Sequence, residues 1–373
     1  MGRGVRISSV EVMASRLPLR LGQWQDQVHT VSYIDLVVVD VASEDGLVGT
    51  GISHTSGVGV RGILGLLSEL IPELVGRPVQ PQVIWDWSWR FLHDCGGGGI
   101  TTLSLAAVDL ALWDLVGKAA HAPVVDLLGR RRDHVPLYAS GINLNLSQDE
   151  LVEQVKRWQA LGYRAGKVKV GKDCLEEDVE RVAAVRKAVP GLPLMVDANQ
   201  GWTLPEAIRR IRSLQRFDLV WVEEPLLVDD VAAHEQLVAT INCPIALGEN
   251  LYTVAQFKEF ITRRTIEHVQ ADVVRIGGIT PYLRVAELAA AYQLPMSPHF
   301  IMEISAEVVG AIRNLYLVED TTGGTLRELG AVKANGGPKD GMYEVGTGDG
   351  LGIEWDRTFL DERLIDGSRA SYG

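Results

Sequence analysis

Three apolar runs in this chain each stop on an acid: Pro193-Leu-Met-Val-Asp197, Leu219-Val-Trp-Val-Glu223 and Pro244-Ile-Ala-Leu-Gly-Glu249. The acids stand 26 residues apart in both intervals, the length of one strand, loop, helix and return loop. Side by side at one end of a sheet, three carboxylates form an all-oxygen set that suits Mg²⁺, which favours carboxylate and water. No Cys stands with them at the strand ends and no paired His lies nearby, as zinc would call for. One strand earlier, Lys167-Val-Lys169 puts two ammonium groups on one face, because side chains two apart on a strand point the same way. Each is expected to depress the other, taking Lys169 from about 10.4 toward the roughly 7–8 of a general base, a change of about 4 kcal/mol.

A second group of residues stands further along the chain. Asp272 closes Val269-Gln-Ala-Asp272, and His299 follows in Met296-Ser-Pro-His299. An Asp bonded to a His fixes its tautomer and stabilises its protonated form, giving an acid/base opposite the lysine. Glu319, at the end of the next strand, is placed to meet a substrate carboxylate oxygen as charge builds there. Ser140, Asn143, Asn145 and Asn199 add polar groups near strand ends that suit a polyhydroxylated substrate. Arg20, in the polar loop Leu19–Asp26, is a candidate for holding a distal carboxylate.

These residues need a scaffold that brings strand ends together. From His134 onward, candidate strands run to Tyr138, Val170, Asp197, Glu223, Glu249, Asp272, Pro298 and Glu319, with amphipathic helices near 149–161, 175–189, 204–214, 230–240, 253–263, 280–292 and 302–313. Capping boxes are expected at Ser147 with Glu150, Thr203 with Glu206, and Thr253 with Gln256. Eight strands at this spacing predict an α/β chain with a (β/α)₈-type TIM barrel, whose reactive groups sit at the C-terminal strand ends. Its last helix is weak, because the stretch after Glu319 is rich in glycine. The first third reads as strands 5–13, 31–41 and 47–53, then helices from about 60, from 81 to 92 and from 102 to 118. The expected division is an α+β capping domain over 1–128, completed by the tail 336–373, and a barrel over 129–335.

Composition excludes several partners. A net charge of −12 over 373 residues argues against nucleic acid, which needs a basic face. The start of the chain lacks a signal-peptide core, and the apolar runs fall short of the roughly 18 residues a membrane span needs. Three widely separated cysteines, Cys95, Cys174 and Cys243, offer no disulfide framework and suit the cytoplasm. Gly57-Val-Gly-Val-Arg-Gly62 matches a dinucleotide-binding fingerprint, which would imply an NAD-dependent dehydrogenase. That reading wants an acid closing a second strand about 20 residues on, and Asp86 falls inside a helical pattern instead.

The motifs Lys167-Val-Lys169, Asp197-Ala-Asn199, Trp221-Val-Glu-Glu-Pro225, Gly248-Glu-Asn250, Asp272 with Arg275-Ile-Gly-Gly-Ile-Thr280, His299, Glu303-Ile-Ser305 and Glu319 together resemble the mandelate racemase subgroup of the enolase superfamily. The resemblance spans nearly the whole chain, including Asp109-Leu-Ala-Leu-Trp-Asp114 and Gly350-Leu-Gly-Ile-Glu354. It implies Asp197, Glu223 and Glu249 as Mg²⁺ ligands, Lys169 as base for one substrate face with Lys167 assisting, the His299–Asp272 dyad for the other face, and Glu319 supporting the enediolate. It also implies that cap loops near Leu19–Asp26 and Ile52–Gly57, with Arg20 and His54, close over a small carboxylate substrate, and that the protein is a homo-oligomer. The implied first step is removal of the proton next to a carboxylate. Loss of a β-hydroxyl would then make the chain a dehydratase of an aldonate or aldarate, and return of a proton to carbon would make it a racemase or epimerase of a 2-hydroxy acid.

Overall fold

The computed structural model describes residues 5–333 and 337–373; residues 1–4 and position 336, where the tail was expected to begin, lie outside the described residues. Strands Ile7–Pro18, Tyr33–Ser43 and Val48–Thr55 form an antiparallel meander. Strand Tyr33–Ser43 is rich in β-branched residues and carries buried side chains on both faces, as befits the middle of a covered sheet. The reversal after it uses Gly46, whose φ of 81° and N–H bond to the Ser43 carbonyl make the tight turn. Helices Val60–Leu70, Pro81–Phe91 and Ile100–Ala120 follow, and the last of these covers the sheet.

Helix Ile100–Ala120 is long and apolar enough to span a membrane by length and composition, with a mean hydropathy of 1.5, yet 83% of that window is buried inside the fold. It is a core helix. It lies so close to the sheet that a Cβ on Gly51 would stand 2.1 Å from the Ala107 carbonyl oxygen and 2.3 Å from the Ala111 nitrogen. Those are backbone atoms and have no side-chain rotamer by which to yield. Gly51→Ala is therefore expected to cost about 3 kcal/mol through overpacking, read as a lowered thermal unfolding midpoint. Gly65→Ala, whose Cβ would meet nothing within 4 Å on an exposed helix face, is the control and should leave the midpoint unchanged or raised.

The remaining strands close into a parallel ring. His134–Ser140, Gly166–Lys169, Leu194–Asp197, Leu219–Glu223, Ile245–Leu247 and His268–Val269 pair in sequence, and Val318–Thr321 pairs with Leu137–Ser140 to complete the circle. The seventh position is reduced to single bridges, Val269 to Met296, Met296 to Leu315 and Asp272 to His299. Pro295 and Pro298 flank that segment and lack the N–H a regular ladder needs, which explains the shortened strand. The expected weak last helix is a single turn, Leu326–Leu329, opened by a capping box of Thr325 and Glu328. The capping boxes at Ser147 and Thr253 form, whereas Thr203 makes no side-chain cap bond and the Glu206 carboxylate instead accepts from Arg209 and Arg210.

The tail touches both layers. Met342–Glu344 pairs antiparallel with His134–Pro136 of the first ring strand, and Ala370–Tyr372 adds an edge beside Val10–Val12 of the meander. The Gly57–Gly62 motif opens helix Val60–Leu70 from an antiparallel sheet, so it lacks the parallel βαβ crossover a dinucleotide site uses.

Candidate active site

Strand register brings the chemistry together. Lys169 is paired with Asp197 on the next strand, and Asp197 with Glu223 on the one after. Carboxylate atoms of Asp197, Glu223 and Glu249 all lie within 4.8 Å of one another, and all three residues are buried. Three such groups away from water repel one another strongly unless cations stand among them. An all-oxygen, triply anionic set of this kind fits a hard divalent ion.

The ligand set is held from outside. Glu223 Oε2 accepts hydrogen bonds from Trp221 Nε1 at 3.1 Å and Gln270 Nε2 at 2.6 Å, while its Oε1 accepts from Lys167 at 2.5 Å. Glu249 Oε1 accepts from Arg275 Nη1 and Asn250 Nδ2, each at 3.3 Å. Such partners fix which lone pairs a ligand presents. Trp221 lies two residues before Glu223 and Gln270 two residues before Asp272, so each stands one step back from a strand-end acid.

Lys167 pulls the Lys169 pKa down as expected, but the acids around the two lysines outweigh that repulsion. Lys167 Nζ lies 2.5 Å from Glu223, 2.8 Å from Glu319 and 3.7 Å from Asp197. Lys169 Nζ lies 2.5 Å from Asp197 Oδ2. Burial pulls both pKa values down, but these carboxylates outweigh burial and raise both above the ordinary lysine value. Glu319 is committed in the same way: Oε1 bonds Lys167, and Oε2 accepts the Phe300 N–H at 2.9 Å. Burial pushes its pKa up, yet Lys167 and His299 bring it down to about 2. Both oxygens of Glu319 are thus engaged, one by Lys167 and the other by the Phe300 N–H.

On the other side, His299 Nδ1 lies 2.7 Å from Asp272 Oδ2, and Nε2 lies 3.3 Å from Glu249 Oε2. Asp272 sits in a turn beyond its strand, where Oδ1 accepts the N–H groups of Val274 and Arg275. Burial alone would lower the pKa of His299, but Glu249, Asp272 and Glu319 overcome it and raise the value, favouring the protonated imidazolium. Lys169 and His299 therefore touch opposite members of the acid triad, Asp197 and Glu249.

Above this floor lies a cavity of about 450 Å³, roofed by the hairpin Trp24–Gln25 and Thr30–Val31 and by the end of strand Val48–Thr55. His54 and Asn199 line it, as expected. Ser140 does not; it is buried in the ladder, where it pairs with Lys167 and accepts the Thr322 N–H on its carbonyl. Asn143 is turned away from the cavity, accepting the Lys169 N–H on Oδ1 and donating to Gln154, so it braces the strand of Lys169. Asn145 donates to the Gln23 carbonyl and ties down the hairpin. Arg20 lies outside the cavity, its guanidinium 5.2 Å from the centre of the Phe359 ring, a cation–π contact that draws it away. Sequence reasoning missed Asp26 and His29, a mostly buried acid and an exposed imidazole at the hairpin tip, bonded at 3.2 Å and lining the cavity.

The hairpin is latched to the catalytic loops through Gln27. Its Nε2 donates to the Gly201 carbonyl at 3.1 Å, and its side chain fills the space a Cβ would take on Gly171 or Gly201, at 2.3 and 2.1 Å. Gly171 follows Lys169 and Gly201 follows Asp197, so the hairpin seats directly on the loops that leave those two strands. Gly201→Ala should displace Gln27 at a cost of about 1–2 kcal/mol, raising KM about tenfold with a smaller effect on kcat. Steady-state kinetics beside Gly191→Ala, whose Cβ would meet nothing within 4 Å, would check this.

Two proton-transfer groups at opposite ends of a hard-metal site, under a separate lid, are the apparatus of enzymes that take a proton from the carbon beside a carboxylate. The chain belongs to the mandelate racemase/muconate lactonizing enzyme family: that family's N-terminal domain model matches residues 7–129, and the enolase C-terminal domain-like model matches 150–359. It is 37% identical over 300 residues to the 3,6-anhydro-alpha-L-galactonate cycloisomerase of Streptomyces coelicolor, covering 79% of this chain and 82% of that one. It is 33% identical over 321 residues to the L-talarate/galactarate dehydratase of Salmonella typhimurium, covering 83% and 79%. The structure of that dehydratase with Mg and L-lyxarohydroxamate aligns with a TM-score of 0.91 and 29% identity, over 99% of this chain and 95% of the other. A racemase from Streptomyces coelicolor with bound magnesium aligns with a TM-score of 0.92 and 33% identity, over 96% and 100%.

Proposed function

We propose that this protein is an acid-sugar dehydratase that uses Mg²⁺ held by Asp197, Glu223 and Glu249. The observation that carries the reading is the placement of Lys169 and a protonation-favoured His299 at opposite ends of the acid triad. Mg²⁺ there supplies positive charge to the substrate carboxylate and offsets the carboxylate charge that now holds the proton on Lys169. Lys169 then removes the proton from the α-carbon, and His299 gives its proton to the hydroxyl leaving the β-carbon. The balance is one water lost and an enol that becomes a 2-keto acid. Lys167, kept charged by Glu223 and Glu319, stands beside the substrate carboxylate and steadies the charge that develops there. Asp272 keeps the imidazole in the tautomer and orientation that donation from Nε2 requires.

The similarity to a dehydratase over most of both chains supports this chemistry, and the racemase among the structural relatives keeps proton return to carbon as the second reading. Free thiols at Cys95, Cys174 and Cys243 support a cytoplasmic setting. The test is a panel of sugar acids with Mg²⁺, reading 2-keto product by semicarbazone absorbance and α-proton exchange in D₂O by NMR. Keto product supports dehydration. Exchange or inversion without keto product would transfer the reading to racemisation, and absence of both would contradict it.

A further inference from the structure

We infer that the substrate is a sugar acid with a single carboxylate, an aldonate, and that the cavity disfavours the diacids of the same carbon skeleton. This rests on the sugar-acid reading above and narrows it. Once one carboxylate occupies the metal end, the rest of the wall decides what the far end of the substrate is.

That wall holds neutral polar groups that lack partners. Both ring nitrogens of His54, Oγ1 of Thr55 and Oδ1 of Asn199 are buried without any hydrogen bond. All three residues line the cavity. A buried polar atom left unpaired costs about 1–3 kcal/mol, so their orientation points to a ligand that completes them. His54 packs edge-on against Phe300, and burial keeps its imidazole neutral, with a pKa near 4. A neutral imidazole offers one donor and one acceptor, and a hydroxyl matches either. A row of such groups suits a chain of hydroxyls.

A second carboxylate would instead need a cation. Among the described residues lining the cavity, each cationic side chain already has an acid: Lys169 has Asp197, Arg275 has Glu249, His299 has Asp272 and Glu249, and His29 has Asp26. The Asp26–His29 pair on the lid is close to neutral as a unit, and Arg20 is turned toward Phe359. Carboxylate desolvated against this wall would pay for the loss of water without a charge to replace it. Hydroxyls meet no such penalty.

The test compares six-carbon aldonates with the aldarates of matching configuration, using the wild-type protein with Mg²⁺. Three readouts are taken on each pair: keto product, α-proton exchange in D₂O, and binding by isothermal titration. The expected result is a preference for the aldonate of 100-fold or more in kcat/KM, with tighter binding in the titration. Equal or better use of the aldarate would overturn the inference. If no keto product forms with any acid, the dehydratase reading falls while the exchange and binding preferences still judge this one. His54→Phe keeps the ring and its packing but removes both nitrogens. It should raise KM for the aldonate tenfold or more and change kcat by less than threefold. An unchanged KM in a variant whose circular dichroism matches the wild type would also overturn the inference.

Discussion

Replacement of Lys169 by Met is expected to lower both α-proton exchange and keto-acid formation by about 10³–10⁴-fold, the loss that follows removal of a positioned general base. Both readouts should fall together, because the α-proton must leave before anything else can happen. Met is unbranched and close to Lys in length, so the volume at this position is nearly kept and only the amine is lost. The variant should still bind a divalent ion, and Mn²⁺ titration followed by electron paramagnetic resonance would show it. The change frees Asp197 Oδ2 from its 2.5 Å bond to Lys169, so metal affinity should hold or rise. A variant that lost both activity and metal would instead mark Lys169 as structural.

Replacement of His299 by Asn is expected to separate the two readouts. Keto product should fall by about 10³-fold because no acid then meets the leaving hydroxyl, while exchange at the α-carbon, carried out by Lys169, persists. Asn also withdraws positive charge from Glu249 Oε2, 3.3 Å from the imidazole in the wild type. The exchange rate should therefore drop by no more than about tenfold, the effect of losing one partly screened charge near the metal site. If the substrate were a racemase substrate instead, one enantiomer would still exchange and inversion would cease.

How much of this was legible in the sequence depended on what each residue needed from its neighbours. The equal spacing of Asp197, Glu223 and Glu249 was readable because one βα unit repeats, and parallel register turns equal spacing into adjacency. The Asp272–His299 pair was readable for the same reason, since a bridge joins the ends of the sixth and seventh strands. The charge state of Lys169 was not, because two lysines on one strand say nothing of the carboxylate that the next strand places 2.5 Å away. Asn143 shows that nearness to a strand end does not give the direction of a side chain, since its amide turns back to the Lys169 N–H and to Gln154. The lid was the hardest part. Residues 19–31 show no period of 2 or 3.6, so neither the displacement of Arg20 onto Phe359 nor the seating of Gln27 against two glycines left a pattern. Asp26 with His29 could have been found, since an Asp accepting backbone N–H bonds two and three residues on is a common way to close a turn.

The most direct check on the whole account is α-proton exchange of a sugar acid in D₂O, measured on wild-type protein stripped of divalent ions and then resupplied with Mg²⁺. Metal-dependent abstraction by Lys169 predicts exchange that falls by at least about 10³-fold on stripping, as loss of several kcal/mol of charge stabilisation requires, and that returns with Mg²⁺. Exchange that continues at the wild-type rate in excess chelator would contradict it.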